Sequence, residues 1–182
     1  MADVLATTKT GPSASRKNYL AQLVAERLTG TPAESFTNGA MQWGTDTEPF
    51  ARAAYELKSD LMVDQVGFID HPTIAMSGMS PDGLVGDDGL VEIKCPNTAT
   101  HIDYLIGKKP PSKYVPQMAW QLACSGRKWC DFVSFDPRMP ENLQLFIVRY
   151  VPDPGYIATL EQESVTFLAE VDALVNLLKS IK

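Results

Sequence analysis

Three residues within a short stretch could carry out hydrolysis together: Asp82, Glu92 and Lys94. Glu92 and Lys94 flank a single residue, so on a strand they share a face, while Val91 and Ile93 turn the other way. Between Asp82 and Glu92 lies Gly86-Asp87-Asp88-Gly89, set among apolar residues. That pattern predicts a hairpin, which would fold Asp82 back beside Glu92. Two carboxylates so placed repel each other, and one would take up a proton unless a cation relieves them. A hard divalent ion such as Mg²⁺ does this through oxygen ligands, and the Ile93 carbonyl offers one more. Such an ion acidifies bound water and neutralises a phosphate under attack. Lys94 cannot ligate while protonated, but it can orient water or stabilise the charged phosphoryl oxygens. Taken alone, Glu-x-Lys reads more readily as an exposed hairpin with a surface ion pair. Ser80-Pro81-Asp82-Gly83 just upstream, with the hairpin between, favours a reaction centre.

The surrounding pattern supplies the elements that must hold these groups. A helix is expected over about 15–28, capped by Ser13 or Ser15 and stopped by Gly30. A second is expected over about 46–57, capped by Thr45 or Thr47, with Pro49 near its first turn. Strands are predicted at 61–70, 73–79 and 90–94, helices at about 98–107 and 113–125, and strands at about 129–135 and 143–150. Asp136 and Arg138 are expected to fix the turn between the last two strands. An amphipathic helix closes the chain over 157–182. The order implies an α/β domain, a mixed sheet flanked by helices. The reading is one domain over 1–182, with 1–12 as a flexible arm.

Composition narrows the function. No run of 18 apolar residues occurs, so no membrane span is expected. The first residues are polar and do not read as a secretion signal. The three cysteines, Cys95, Cys124 and Cys130, form no Cys-x-x-Cys pair; neither a disulfide framework nor a zinc site is expected, and a reducing cytoplasm is. A net charge of -6 argues against a protein that coats nucleic acid through a basic surface. His71 and His101 lack metal-ligand spacing.

Asp82 followed by Glu92-Ile93-Lys94 resembles the Asp…Glu-x-Lys signature of the PD-(D/E)XK nuclease superfamily, whose core is restriction-endonuclease-like. Ser80-Pro81-Asp82-Gly83, Glu92-Ile93-Lys94-Cys95-Pro96, Gln117 with Gln121, Asp136-Pro137-Arg138-Met139 and the upstream Trp43-Gly44-x-x-x-Glu48-x-x-Ala51-Arg52 together resemble the lambda exonuclease branch, which includes the YqaJ-type viral recombinases. The resemblance spans roughly 11–150 and implies several roles. Asp82, Glu92, Glu48 and the Ile93 carbonyl would hold the metal, Mg²⁺ or Mn²⁺, with two ions per site. Lys94 would assist catalysis, and Gln117 would lie near it. Tyr114, three residues before Gln117, could share its face. A 5′-phosphate pocket is implied, for which Ser13, Ser15, Arg16, Ser80 and Tyr114 are candidates; a helix N-terminus suits an anion. The family's usual Gly-x-Ile-Thr-Ala-Ser stretch and upstream arginine are replaced here by Lys9-Thr10-Gly11-Pro12-Ser13-Ala14-Ser15. Either Lys9 or Arg16 could stand in for that arginine. Met41 could wedge into a duplex end, while Trp43 reads better as a core residue. The implied activity is a metal-dependent 5′–3′ exonuclease on linear duplex DNA, leaving 3′ single strands for phage-type recombination. It would be a ring-shaped homotrimer, working with a single-strand annealing protein in a bacterial or phage-infected cell. The alternatives are an endonuclease or repair nuclease on the same fold, and an inactive DNA-end-binding module.

Overall fold

The computed structural model describes residues 1–34 and 37–181. Two compact units emerge. One gathers both ends of the chain, Met1–Phe36 and Pro154–Lys182, and the other is Thr37–Asp153.

The first unit pairs α1 (Ala14–Thr29) with α5 (Pro154–Lys179). Before α1 run two short strands, β1 (Thr7–Thr8) and β2 (Gly11–Pro12), paired antiparallel. Ser13 caps α1 by accepting from the Arg16 N–H at 3.2 Å. Gly30 ends the helix in the left-handed conformation, at φ 69°, which costs glycine little. The apolar seam joins Val4, Val24, Phe167, Val171 and Val175, and Tyr19 stacks on Phe167 at 5.5 Å.

The second unit holds a five-stranded sheet in the order β3-β6-β7-β8-β9: Val63–Asp64, Gly83–Val85, Gly89–Lys94, Trp129–Phe135 and Leu145–Tyr150. All neighbours are antiparallel except β7 and β8. A parallel pair needs a crossover, and α3 (Thr98–Gly107) with α4 (Val115–Ser125) provides it. This is the mixed sheet flanked by helices that the sequence implied. On one face, α2 (Gly39–Ser59) packs Ala51 and Tyr55 against Val85, Val91, Ile93 and Val133. Gly83 is required where β3 and β6 cross closely, since a Cβ there would lie 2.1 Å from a Val63 methyl.

Two expectations are corrected. The second helix begins at Gly39, well before 46, so Pro49 is internal and Asn38, not Thr45 or Thr47, is the cap. The Asn38 side chain accepts from the Met41 N–H at 2.9 Å, which starts a helix through glycines that read locally as loop. The strands expected at 61–70 and 73–79 shrink to three two-residue pieces: β3, then β4 (Ile69–Asp70) and β5 (Gly78–Met79), which pair only with each other. Pro72 donates no ladder hydrogen bond, and most side chains of this segment are exposed. No helix among the described residues is long and apolar enough to cross a membrane. None of the three cysteines is in a disulfide.

Candidate active site

Strand β7 is flanked on both sides, and its alternation decides the site. Val91 and Ile93 face the α2 core, which leaves Glu92 on the α4 side, fully buried. A carboxylate removed from water needs donors, and α4 supplies them. Gln117 and Gln121, one helical turn apart, each donate a side-chain N–H to a different Glu92 oxygen at 2.7 Å. Lys94, next on the same strand face, ion-pairs with Glu92. It also donates to the Ile93 carbonyl at 3.0 Å and lies 3.7 Å from Asp82 Oδ2. Asp82 sits in the turn before β6. The pairing of Gly83 with Val91 carries its carboxylate to the end of β7, where it accepts from the Ile93 N–H at 2.6 Å. The hairpin therefore gathers Asp82, Glu92 and Lys94 as expected from their spacing.

Electrostatics follow from burial. Desolvation pushes the Glu92 pKa up, against the pull of Lys94. Burial disfavours the Lys94 charge as well, but Glu92 and Asp82 outweigh it and its pKa is pushed up to about 12. These neighbouring carboxylates favour Lys94 as a cation and donor. Burial, followed by Glu48, raises the Cys95 thiol to about 11, so no thiolate forms there.

An open pocket of about 500 Å³ lies over this end of the sheet, with Glu48, Asp82, Ile93, Lys94, Cys95 and Tyr114 among its walls. Glu48 reaches it from α2 and holds Arg52 at 2.7 Å, one turn on. Tyr114 stands at the start of α4, its ring 5.5 Å from the Lys94 ammonium and stacked on Phe132. The available donors, two carboxylates on the pocket, a third beneath it and a backbone carbonyl, are all oxygens. That set suits a hard cation and not a soft one. Among the described residues no three His, Cys, Asp or Glu side chains group closely enough to enclose an ion by themselves. An ion would therefore keep waters or substrate oxygens, as Mg²⁺ tends to.

Several of the other candidates serve structure. Ser80 is exposed beside the Asp82 turn. Ser13 and Ser15, their hydroxyls 3.0 Å apart, belong to the first unit. Arg16 is buried there; its guanidinium grips Glu170 through two bonds of 2.8 Å and the Val4 carbonyl at 3.1 Å. Met41 is exposed on the pocket wall, and Trp43 lies under the Arg138 guanidinium at 4.6 Å. His101 is buried between Ser134 Oγ at 2.7 Å and the Leu143 carbonyl at 2.8 Å. Asp136 and Arg138 lock the last turn, as expected. Two residues around the site had been given no role from sequence. Gln121 could have been found from its four-residue spacing to Gln117. Arg52 carried no signal beyond its place in the upstream motif, four residues after Glu48.

Known proteins bear on this geometry. An alkaline exonuclease from Laribacter hongkongensis, LHK-Exo, is 53% identical, with a TM-score of 0.90 over 98% of this chain and 88% of its own. The same exonuclease in complex with dAMP superposes with a TM-score of 0.91 at 53% identity, over the same shares. A phage-related exonuclease from Haemophilus somnus 129PT, only 15% identical, shares the fold with a TM-score of 0.76 over 97% of this chain and 92% of its own. These are structures of the PD-(D/E)XK type. No curated protein matches the chain. The model of the YqaJ-like viral recombinase domain matches residues 1–128, a stretch that includes α2, the hairpin and the two glutamines of α4. With the candidate site inside that match and a relative 53% identical over 98% of this chain, the chain belongs to the YqaJ-like viral recombinase domain family.

Proposed function

We propose that this protein is a metal-dependent exonuclease that degrades one strand of linear duplex DNA from its 5′ end. The product would be a duplex with 3′ single strands, the substrate for strand annealing in phage-type recombination. The observation that carries the reading is the Glu92 carboxylate, wholly buried yet clamped by two glutamines beside Asp82 and Lys94. Burying a carboxylate is costly unless donors are built around it, and perturbed ionisable groups lining a cleft mark reaction centres. The 53%-identical relative is an exonuclease by name, which supports the same choice.

Asp82, Glu92, Glu48 and the Ile93 carbonyl are the proposed ligands for Mg²⁺ or Mn²⁺, two ions per site. Bound there, the metal supplies an acidified water and neutralises phosphate charge. The protein's own groups do the positioning. Gln117 and Gln121 fix the Glu92 carboxylate. Lys94, holding its proton firmly, donates to a phosphoryl oxygen or orients the attacking water. Tyr114 packs beside that ammonium. For the 5′-phosphate, Ser80 and Tyr114 are the candidates in the second unit, and Ser13, Ser15 and Arg16 in the first. A phosphate at Arg16 would have to compete with Glu170. A homotrimeric ring and an annealing partner complete the proposal on family grounds.

The test is digestion of end-labelled linear duplexes, with and without a 5′-phosphate, and of covalently closed circles, in Mg²⁺ and in EDTA. Nucleotide release from 5′-phosphorylated linear DNA, in Mg²⁺ only, is expected. Cutting of the circle would replace the exonuclease with an endonuclease. Binding of ends without any release would leave an end-binding module.

A further inference from the structure

We propose that the segment joining α3 to α4, residues 108–113, is a docking strip for the phosphate backbone of DNA led into the site. The proposal rests on the nuclease reading above. Three of the chain's sixteen lysines and arginines, Lys108, Lys109 and Lys113, fall within these six residues. All three are exposed, and among the described residues none makes an ion pair. Most arginines here hold a carboxylate instead, as Arg16, Arg52, Arg138 and Arg149 do. In a chain of net charge -6, an unneutralised cluster is where a polyanion would land.

The strip is built and joined to the reaction centre. Pro110 and Pro111 stiffen it, and the Tyr114 N–H returns to the Pro111 carbonyl at 2.9 Å. The Lys113 ammonium lies 4.8 Å from the centre of the Tyr114 ring, and Lys94 lies 5.5 Å from the same ring. Positive charge thus runs from the loop through Tyr114 to the catalytic lysine. Below it is a shallow groove of about 440 Å³ with Thr100, Tyr104, Lys109, Ser112 and Lys113 on its walls; Asp103 also borders it.

A second observation is local. Lys108 caps α3 in the left-handed conformation, at φ 49° and ψ 30°. Glycine is the favoured residue there, and Gly30 and Gly126 take that place on α1 and α4. Lysine there carries a local conformational cost, as Asp60 does at the end of α2, and sets a charge on the strip. The blander explanation is that Lys108 and Lys109 complement the C-terminal end of the helix dipole. Lys113 lies beyond that end and gains nothing from it.

Equilibrium binding, with EDTA to prevent cleavage, separates these explanations. A blunt duplex and a single strand of equal length are titrated across about 50 to 200 mM salt. The triple variant K108Q/K109Q/K113Q should flatten the plot of log affinity against log salt by roughly 2 to 3, near 0.9 per lost duplex phosphate contact and 0.7 per single-strand contact. K58Q, an exposed lysine elsewhere on the second unit, should keep the wild-type slope. K108G should raise Tm and still flatten the slope by about 1. A greater loss on the duplex assigns the strip to DNA ahead of the cut; a greater loss on the single strand assigns it to a separated strand. If the triple variant keeps the wild-type slope on both DNAs while wild type binds and cleaves, this inference fails and the nuclease stands. Wild type that neither binds nor cleaves DNA would remove the nuclease reading and the strip together.

Discussion

At the residue scale the informative group is Glu92. Its carboxylate is the most buried member of the site, and burial raises its pKa. For an acid with a raised folded pKa, the charged form opposes folding above that pKa, and the penalty is relieved as pH falls. Glu92→Gln should abolish nucleotide release while Tm changes little, because relief of the buried charge offsets loss of the Lys94 ion pair. The amide also fits. Gln121 Oε1 is buried with no hydrogen-bond partner, so a turn of the Gln121 amide would let it accept from the new side chain. Thermal melts and end-labelled digestion of the same preparation check this. A variant that melts well below wild type would show that the carboxylate supports the fold, against its proposed role.

At the element scale, α2 and the β8–β9 turn each make a separate contribution. Asn38→Ala removes the α2 cap and should cost about 1 kcal/mol, a fall in Tm of roughly 2–4 °C. Calorimetry would read it; no change would mean the helix does not start at Gly39. In the turn, Asp136 is fully buried. Desolvation opposes its charge, but the bonds from Arg138 and Thr98 win and hold its pKa at about 2, below the ordinary 3.8. Because the folded value is the lower one, the stabilisation is present above about pH 4 and is lost as pH falls toward 2, with a limit of roughly 2 kcal/mol. Asp136→Asn should lower the neutral urea midpoint and flatten the acid limb. Parallel pH profiles for variant and wild type would contradict this.

At the scale of the whole molecule, charge and enclosure trade against each other. A net charge of -6 leaves little general attraction for DNA, so the proposed exonuclease would need another way to stay on its substrate. A closed ring around the duplex provides one, in keeping with the proposed homotrimer. Sedimentation should then report three chains. Digestion begun on one duplex should also continue when excess unlabelled duplex is added at about 200 mM salt. Full activity from a species sedimenting as a monomer would end the ring proposal.

What the sequence determined by itself was the grouping of Asp82, Glu92 and Lys94 and the hairpin that carries them. Period-two alternation placed Glu92 with Lys94, the Gly-Asp-Asp-Gly turn returned Asp82 to them, and α3 and β8 matched their expected bounds, about 98–107 and 129–135. These are local properties, readable from neighbours in the chain. Where local cues misled, as at Gly39–Thr45 and at residues 61–79, a cap or a proline made the difference. Local spacing could not reach the distant groups: the resemblance named Glu48 and Gln117, and only the tertiary structure shows how they arrive and adds Gln121. Gln117 and Gln121 meet Glu92 because a parallel strand pair forces a helical crossover over that face, and Glu48 shares a pocket with Asp82 because α2 packs on the other side of the same strand. Arg16 turns to Glu170, 154 residues away, for the same reason: partners across a fold are chosen by packing, which no local spacing encodes.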